Sequence, residues 1–296
     1  MPPDLDIDRT APLLNTMAAY SEHVVLCTGK EDWHSNIEHE DGATGAFVRG
    51  LKSVIGKGGE AFDPYHNVLM TASSLPASQT PNTTSVLLFP AFKHIGPIPH
   101  TTQSWSDLAT AYLKPTHLHP AHNGLSPERK ATLLRDPSAA ARLPPAEPIR
   151  KPTVLICGHG GRDPRCGLLG PLLASEFATQ LHRKAVDAQV AQISHVGGHK
   201  YAGNVIVYLP PRPSLDDEGH ALHGTGIWYG RVGPEHVEGV IQETIVQGRL
   251  ILELLRGGIT TQGGNVGSMI EAQIMAARHH DGESPVLKWK KPRARR

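Results

Sequence analysis

Two cysteines and two histidines carry the chemistry this sequence suggests. Cys157 and Cys166 are separated by eight residues, in C-GHGGRDPR-C. The intervening loop holds three glycines and one proline, so it can fold back and bring the two sulfurs together. A cation-rich loop and a helix N-terminus lower a thiol pKa and favour thiolate, the form that binds metal. His195 and His199 follow in H-VGG-H. On a helix they would share a face, as in zinc proteases, but Gly197-Gly198 argues against a helix and no Glu follows His195. The segment reads as a tight loop between strands, whose glycines allow close approach to a bulky object. Two soft thiolates and two imidazoles suit tetrahedral Zn²⁺, or a [2Fe–2S] cluster in which two His replace two Cys. A third reading uses Cys157 and Cys166 as a dithiol/disulfide pair, against which the missing C-x-x-C spacing counts.

These side chains need elements to position them. Thr153–Cys157 is a strand running into the glycine-rich loop. Leu168–Ala185 is a helix, with Leu169, Leu172, Leu173, Phe177 and Leu181 near helical spacing. Gln189–Ser194, Asn204–Leu209 and Gly226–Val232 read as strands. Pro234 opens a helix that runs to about Arg256, because proline's missing N–H costs nothing at a first helical position. A short helix over Ser268–Arg278 follows a Gly-rich stretch. The order β-α-β-β-β-α predicts an α/β layered domain, compatible with a thioredoxin-like sheet.

Asp136–Pro152 carries five prolines and reads as an extended connector. It divides the chain into an N-terminal α/β domain over 1–135, a linker over 136–152 and a C-terminal domain with a basic tail over 153–296. The first part is loop-rich: strands at His23–Cys27 and Ser85–Phe89, a short helix over Ala46–Ile55, and a loop over Met70–Thr84.

Composition narrows the function classes. The chain has 296 residues, 39% apolar and 19% charged, enough for a core. A formal charge of +1 supplies no field to steer it to nucleic acid. No run of about 18 apolar residues exists, so no membrane span is expected. The first twenty residues hold three Asp and one Arg, unlike a signal or transit peptide. Three cysteines make no disulfide scaffold and point to a reducing compartment.

The segments HVGGHKYAGNVIVYLP from His195, HGGRDPRCG after Cys157 and CTGKEDW at Cys27–Trp33 resemble the sucrase/ferredoxin-like family. The likeness covers most of the chain and is sharpest from Val154 to Leu209. It implies a thioredoxin-like ferredoxin domain whose two Cys and two His ligate a [2Fe–2S] cluster. Carried over, the ligands are Cys157, Cys166, His195 and His199. Ordinary thioredoxin-like ferredoxins use four Cys, and this half holds only two, so the all-Cys version is impossible here. The resemblance further implies one-electron transfer or redox sensing with a redox partner protein, rather than substrate turnover. It implies a mitochondrial location, with the cytoplasm as the alternative. Neutral imidazoles leave a cluster less negative than four thiolates do, so its potential is expected above that of a four-Cys ferredoxin.

Other residues read as structural. Cys27 ends an apolar strand as a small buried hydrophobe. His117, His119 and His122 in HLHPAH form a solvated loop. His159 is placed to hydrogen-bond a sulfur or nearby backbone. Arg162, Arg165 and Lys200 either stabilise a reduced cluster or are simply solvated. The tail KWKKPRARR is a solvated end, and GGNVG at Gly263–Gly267 is no dinucleotide fingerprint.

Overall fold

The computed structural model describes residues 5–211 and 221–261, with Val266, Ile270 and the pair Val286–Leu287. All but Ile270 of the helix expected over Ser268–Arg278 lies outside these residues, as do the GGNVG segment except Val266 and the basic tail. The fold is mixed α/β, in two compact units: Ala19–Ile149, and the chain from Arg150 onward together with the N-terminal residues up to Ala18.

The first unit runs β1 (Glu22–Cys27), α1 (Gly42–Ile55), β2 (Val68–Ser73), β3 (Thr83–Phe89), β4 (Lys93–Pro99), α2 (Thr102–Leu108), α3 (Pro127–Leu133) and β5 (Ala146–Pro148). Its sheet has the order β2-β1-β3-β4-β5, with β1 and β2 parallel and the other neighbours antiparallel. Every residue of β1 is buried. In α1, Phe47, Val48, Leu51 and Val54 recur at helical spacing and bury one face against Val24, Leu26, Val86, Leu88 and Ile95.

Two expectations are corrected here. The loop expected over Met70–Thr84 contains most of β2 and the start of β3. Pairing of Val68–Ser73 along β1, with the Ser73 hydroxyl donating to the Leu26 carbonyl, overrides the weak strand preference of VLMTAS. The proline-rich connector is also built into this unit. Pro137–Arg142 forms a 3-10 helix with Ala139 buried, and Ala146–Pro148 pairs with β4.

The second unit runs β6 (Thr153–Cys157), α4 (Pro164–Arg183), β7 (Gln189–Ile193), β8 (Val205–Leu209), β9 (Thr225–Tyr229), α5 (Pro234–Gly239), β10 (Leu250–Ile251), β11 (Leu255–Thr260) and β12 (Val286–Leu287). Its sheet has the order β11-β9-β8-β6-β7, with β6 and β7 parallel across α4 and the rest antiparallel. A separate short pair joins β10 to β12. Helix α4 starts at Pro164, earlier than the expected Leu168, because Asp163 caps it by accepting from the Arg165 N–H. Leu169, Leu173, Phe177 and Leu181 are its buried stripe, whereas Leu172 is exposed.

The helix expected from Pro234 to about Arg256 is much shorter. Beyond α5, a π-helical segment ends at Val246, Gly248 turns the chain at φ +62°, and Arg256 lies in β11. The N-terminal residues expected in the first domain belong with this second unit instead. The Asp8 N–H donates to the Lys200 carbonyl, Arg165 donates to the Asp6 carbonyl and Arg231 to the Ala11 carbonyl.

Glu22 at the head of β1 gives the first unit a pH signature. Burial pushes its carboxyl up from an ordinary 4.5 to about 7, against the pull of the Arg135 guanidinium that donates to it. A carboxyl raised in the fold contributes stability that is complete below pH 4.5 and lost as pH climbs through about 7. Glu22→Gln should therefore match the parent in acid and exceed it at neutral pH, by on the order of 3 kcal/mol at most. Urea unfolding of both proteins across that range checks this; a difference independent of pH would contradict it.

Candidate metal centre

Cys157 is the last residue of β6 and Cys166 lies in the first turn of α4. The glycines between and beyond them let backbone meet backbone. A Cβ added to Gly170 of α4 would stand 2.3 Å from the Gly158 Cα, and one on Gly167 would stand 2.6 Å from the Gly160 Cα. The helix therefore lies directly on the cysteine loop, and both sulfurs are buried within hydrogen-bond reach of each other.

This contact splits the two thiols electrostatically. The Cys166 thiol donates to the Cys157 sulfur and holds Cys157 well below the ordinary thiol range, with help from the His195 ring and the His159 backbone N–H. Cys166, the donor, is pushed far up by that bond and by burial. Cys157 is thus the more acidic thiol of the pair.

The histidines arrive from β7. Gly198 sits in the left-handed region at φ +72° and opens a 3-10 turn over His199–Tyr201. That conformation suits glycine and folds the two imidazoles toward one another. Their ring centroids are 5.5 Å apart at 35°. Buried His159 ties the two ligand segments together, because the His195 backbone N–H donates to its Nδ1 at 2.9 Å. Cys157, Cys166, His195 and His199 are therefore brought into one neighbourhood.

The donor set fits a metal group. The Nδ1 atoms of both His195 and His199 are buried without a hydrogen-bond partner. Such orphaned nitrogens are costly unless something outside the protein satisfies them. Beside them lies an acidified thiol, the ligand form of cysteine. Among the described residues, no three His, Cys, Asp or Glu side chains converge as a single-ion site requires. A tetrahedral Zn²⁺ site needs all four donors on one centre, whereas a [2Fe–2S] cluster takes one pair on each iron. Donors of these two types could serve either group.

The neighbouring charges have other partners. Arg165 forks onto Asp163, and Lys200 lies 3.6 Å from Asp8 and over the Tyr201 ring. Arg162 is exposed. In the first unit, burial pushes the Cys27 thiol up to about 12, so it is inert at neutral pH. In HLHPAH, His117 and His119 are exposed, His119 stacks on Tyr65 at 4.3 Å, and His122 bonds Asp63 at 3.0 Å. Sequence reasoning missed Arg256, a buried cation beneath the histidine loop.

The sequence profile of the sucrase/ferredoxin-like family matches residues 13–257, and the chain belongs to that family. Among its relatives are proteins named altered inheritance of mitochondria protein 32. The one from Debaryomyces hansenii is 31% identical over 88% of this chain and 90% of its own length. The one from Clavispora lusitaniae is 49% identical over 110 residues, 37% of this chain and 36% of that protein. The one from Eremothecium gossypii is 26% identical over 88% of this chain and 85% of its own length. No solved structure matches the chain.

The thiol assignment is open to titration. In reduced, metal-free protein, one thiolate should form below the ordinary thiol range, at Cys157, with Cys166 still protonated. Cys166→Ala removes the donor and should move the Cys157 pKa back up. Thiolate ultraviolet absorbance followed against pH reads this directly; two thiols ionising together in the usual range would refute it.

Proposed function

We propose that the second unit is a thioredoxin-like ferredoxin domain that holds a [2Fe–2S] cluster through Cys157, Cys166, His195 and His199. In this reading the protein is a one-electron carrier or redox sensor associated with mitochondria, acting on a redox partner protein. The observation that carries the proposal is the pairing of an acidified, buried Cys157–Cys166 couple with two imidazoles whose Nδ1 atoms have no partner. The β-α-β-β-β-α order of β6 through α5 supports the fold reading. The relatives' names support the location. No helix among the described residues is long and apolar enough to cross a membrane.

When bound, the cluster would supply a single-electron acceptor. The chain's own residues do the rest. Cys157 is biased toward the thiolate because Cys166, His195 and the His159 N–H all stabilise its charge. The backbone contact of α4 with the cysteine loop fixes the spacing between the sulfurs. His159 locks the histidine loop to the cysteine loop and so sets one pair against the other. Burial of both cysteines keeps bulk water from competing for the sulfurs, while the two histidines are half-buried.

A second reading rests on the Cys157–Cys166 hydrogen bond itself. Without a cluster, the two thiols are placed to exchange with an acceptor disulfide, becoming a disulfide while the acceptor becomes a dithiol.

Iron and acid-labile sulfide content, with an absorption spectrum, on anaerobically purified protein separates these readings. Cys157→Ser and Cys166→Ser should lose the cluster. His195→Cys and His199→Cys should retain one at lower potential, because thiolate donates more charge than imidazole. Cys27→Ser should leave iron content unchanged. Retention of the parent spectrum by all four ligand variants would rule out the assignment.

A further inference from the structure

Arg256 is among the largest fully buried side chains, 1% exposed. Its hydrogen bonds map a prepared seat. Nε donates to the Thr16 hydroxyl at 3.1 Å. Nη1 donates to the Gly197 carbonyl at 3.1 Å and to Asn204 Oδ1 at 2.7 Å. Nη2 donates to the Thr16 carbonyl. The guanidinium carbon lies 5.7 Å from the Tyr201 ring centre and 5.6 Å from that of Trp228. Space is cleared by two glycines: a Cβ on Gly198 would fall 2.4 Å from Nη2, and one on Gly230 would fall 2.9 Å from Cδ.

Three of these partners, Gly197, Tyr201 and Asn204, belong to the segment that carries His195 and His199. Asn204 closes the ring by donating from Nδ2 to the Gly198 carbonyl at 3.1 Å. The histidine loop is therefore wrapped around a planar five-donor fork, a shape lysine does not reproduce.

The charge is the second observation. Every one of these partners is neutral, and no carboxylate among the described residues pairs with Arg256. An uncompensated buried charge is expensive. Burial lowers the guanidinium only to about 10, so the cation persists at neutral pH. The groups that favour its charged form are Tyr201 first, then Cys157 and Cys166.

We propose that Arg256 is the positioning residue for the His195/His199 pair and a fixed positive charge within electrostatic reach of a cluster held there. This rests on the cluster reading for its second half only. A reduced cluster carries one more negative charge than an oxidised one, so a fixed cation favours reduction and raises the potential. The histidine loop depends on Arg256 whether or not a cluster is present.

Two variants of the full chain separate these roles: Arg256→Lys keeps the charge and loses the fork, and Arg256→Gln loses both. In metal-free protein, amide exchange across residues 196–204 should speed up about tenfold or more in both, the loss expected from buried hydrogen bonds to a charged group. Unchanged exchange there would overturn the positioning role. In cluster-loaded protein, the potential should fall in Arg256→Gln and stay nearer the parent in Arg256→Lys; equal potentials in all three would overturn the charge role. If Arg256→Gln does not fold, Gly230→Ala pushes on the Arg256 side chain from outside the histidine loop and should speed the same amides. A parent without iron or acid-labile sulfide would overturn the cluster reading and the charge role together, with the exchange rates still deciding the positioning role.

Discussion

The site depends on a contact with no side chain in it. Where α4 crosses the end of β6, Gly170 lies against the Gly158 backbone, and Gly167 lies against Gly160. A single methyl at that crossing would lift the helix and separate the two sulfurs. The closeness of the two thiols and the depth at which they are buried follow from that approach. Close packing transmits such a shift because an interior of native density has no slack to absorb it.

The two halves of the donor set are assembled by opposite means. The cysteines are brought together by removing volume, through glycine at the helix crossing. The histidines are brought together by adding it, through a loop wound around a guanidinium and two aromatic rings. His159 joins the halves with one hydrogen bond, from the backbone of one ligand residue to a side chain in the other ligand's loop. A neutral acceptor at that position lets the loops meet without bringing a further charge beside Cys157.

Much of the site was legible in the amino-acid sequence, because its parts are local. C-GHGGRDPR-C and HVGGH each sit at a strand end, where glycine and strand patterns are easy to recognise. The strand Thr153–Cys157 is a continuous apolar or β-branched run, and Val190, Ala191 and Ile193 mark Gln189–Ile193. What escaped were features set by distant partners. VLMTAS has the look of a loop until it pairs with β1. ILELLR continues an apparent helical pattern, yet Gly248 diverts the chain and sends Leu255–Thr260 along β9. Arg256 was invisible for the same reason: an arginine at the end of an apolar stretch reads as a solvated helix terminus, and its seat is built by residues 16, 197, 204 and 230. The proline-rich stretch misled in the other direction, since proline's fixed φ suits a 3-10 turn and an edge strand as well as a free connector.

The placement of Thr16 on Arg256 has a consequence for biogenesis. The hydrogen bonds between them span 240 positions of sequence. Residues 19–149 form a unit that is inserted, in sequence, between two pieces of the other. During synthesis or passage through a translocation pore, the inserted unit has all its strands as soon as residue 149 has emerged. The unit with the donor set must wait for β11, and Thr16 remains without its Arg256 partner until then. Assembly of the two units is thus ordered in time, with the half that carries Cys157 and Cys166 completed last, because long-range closure comes after local contacts.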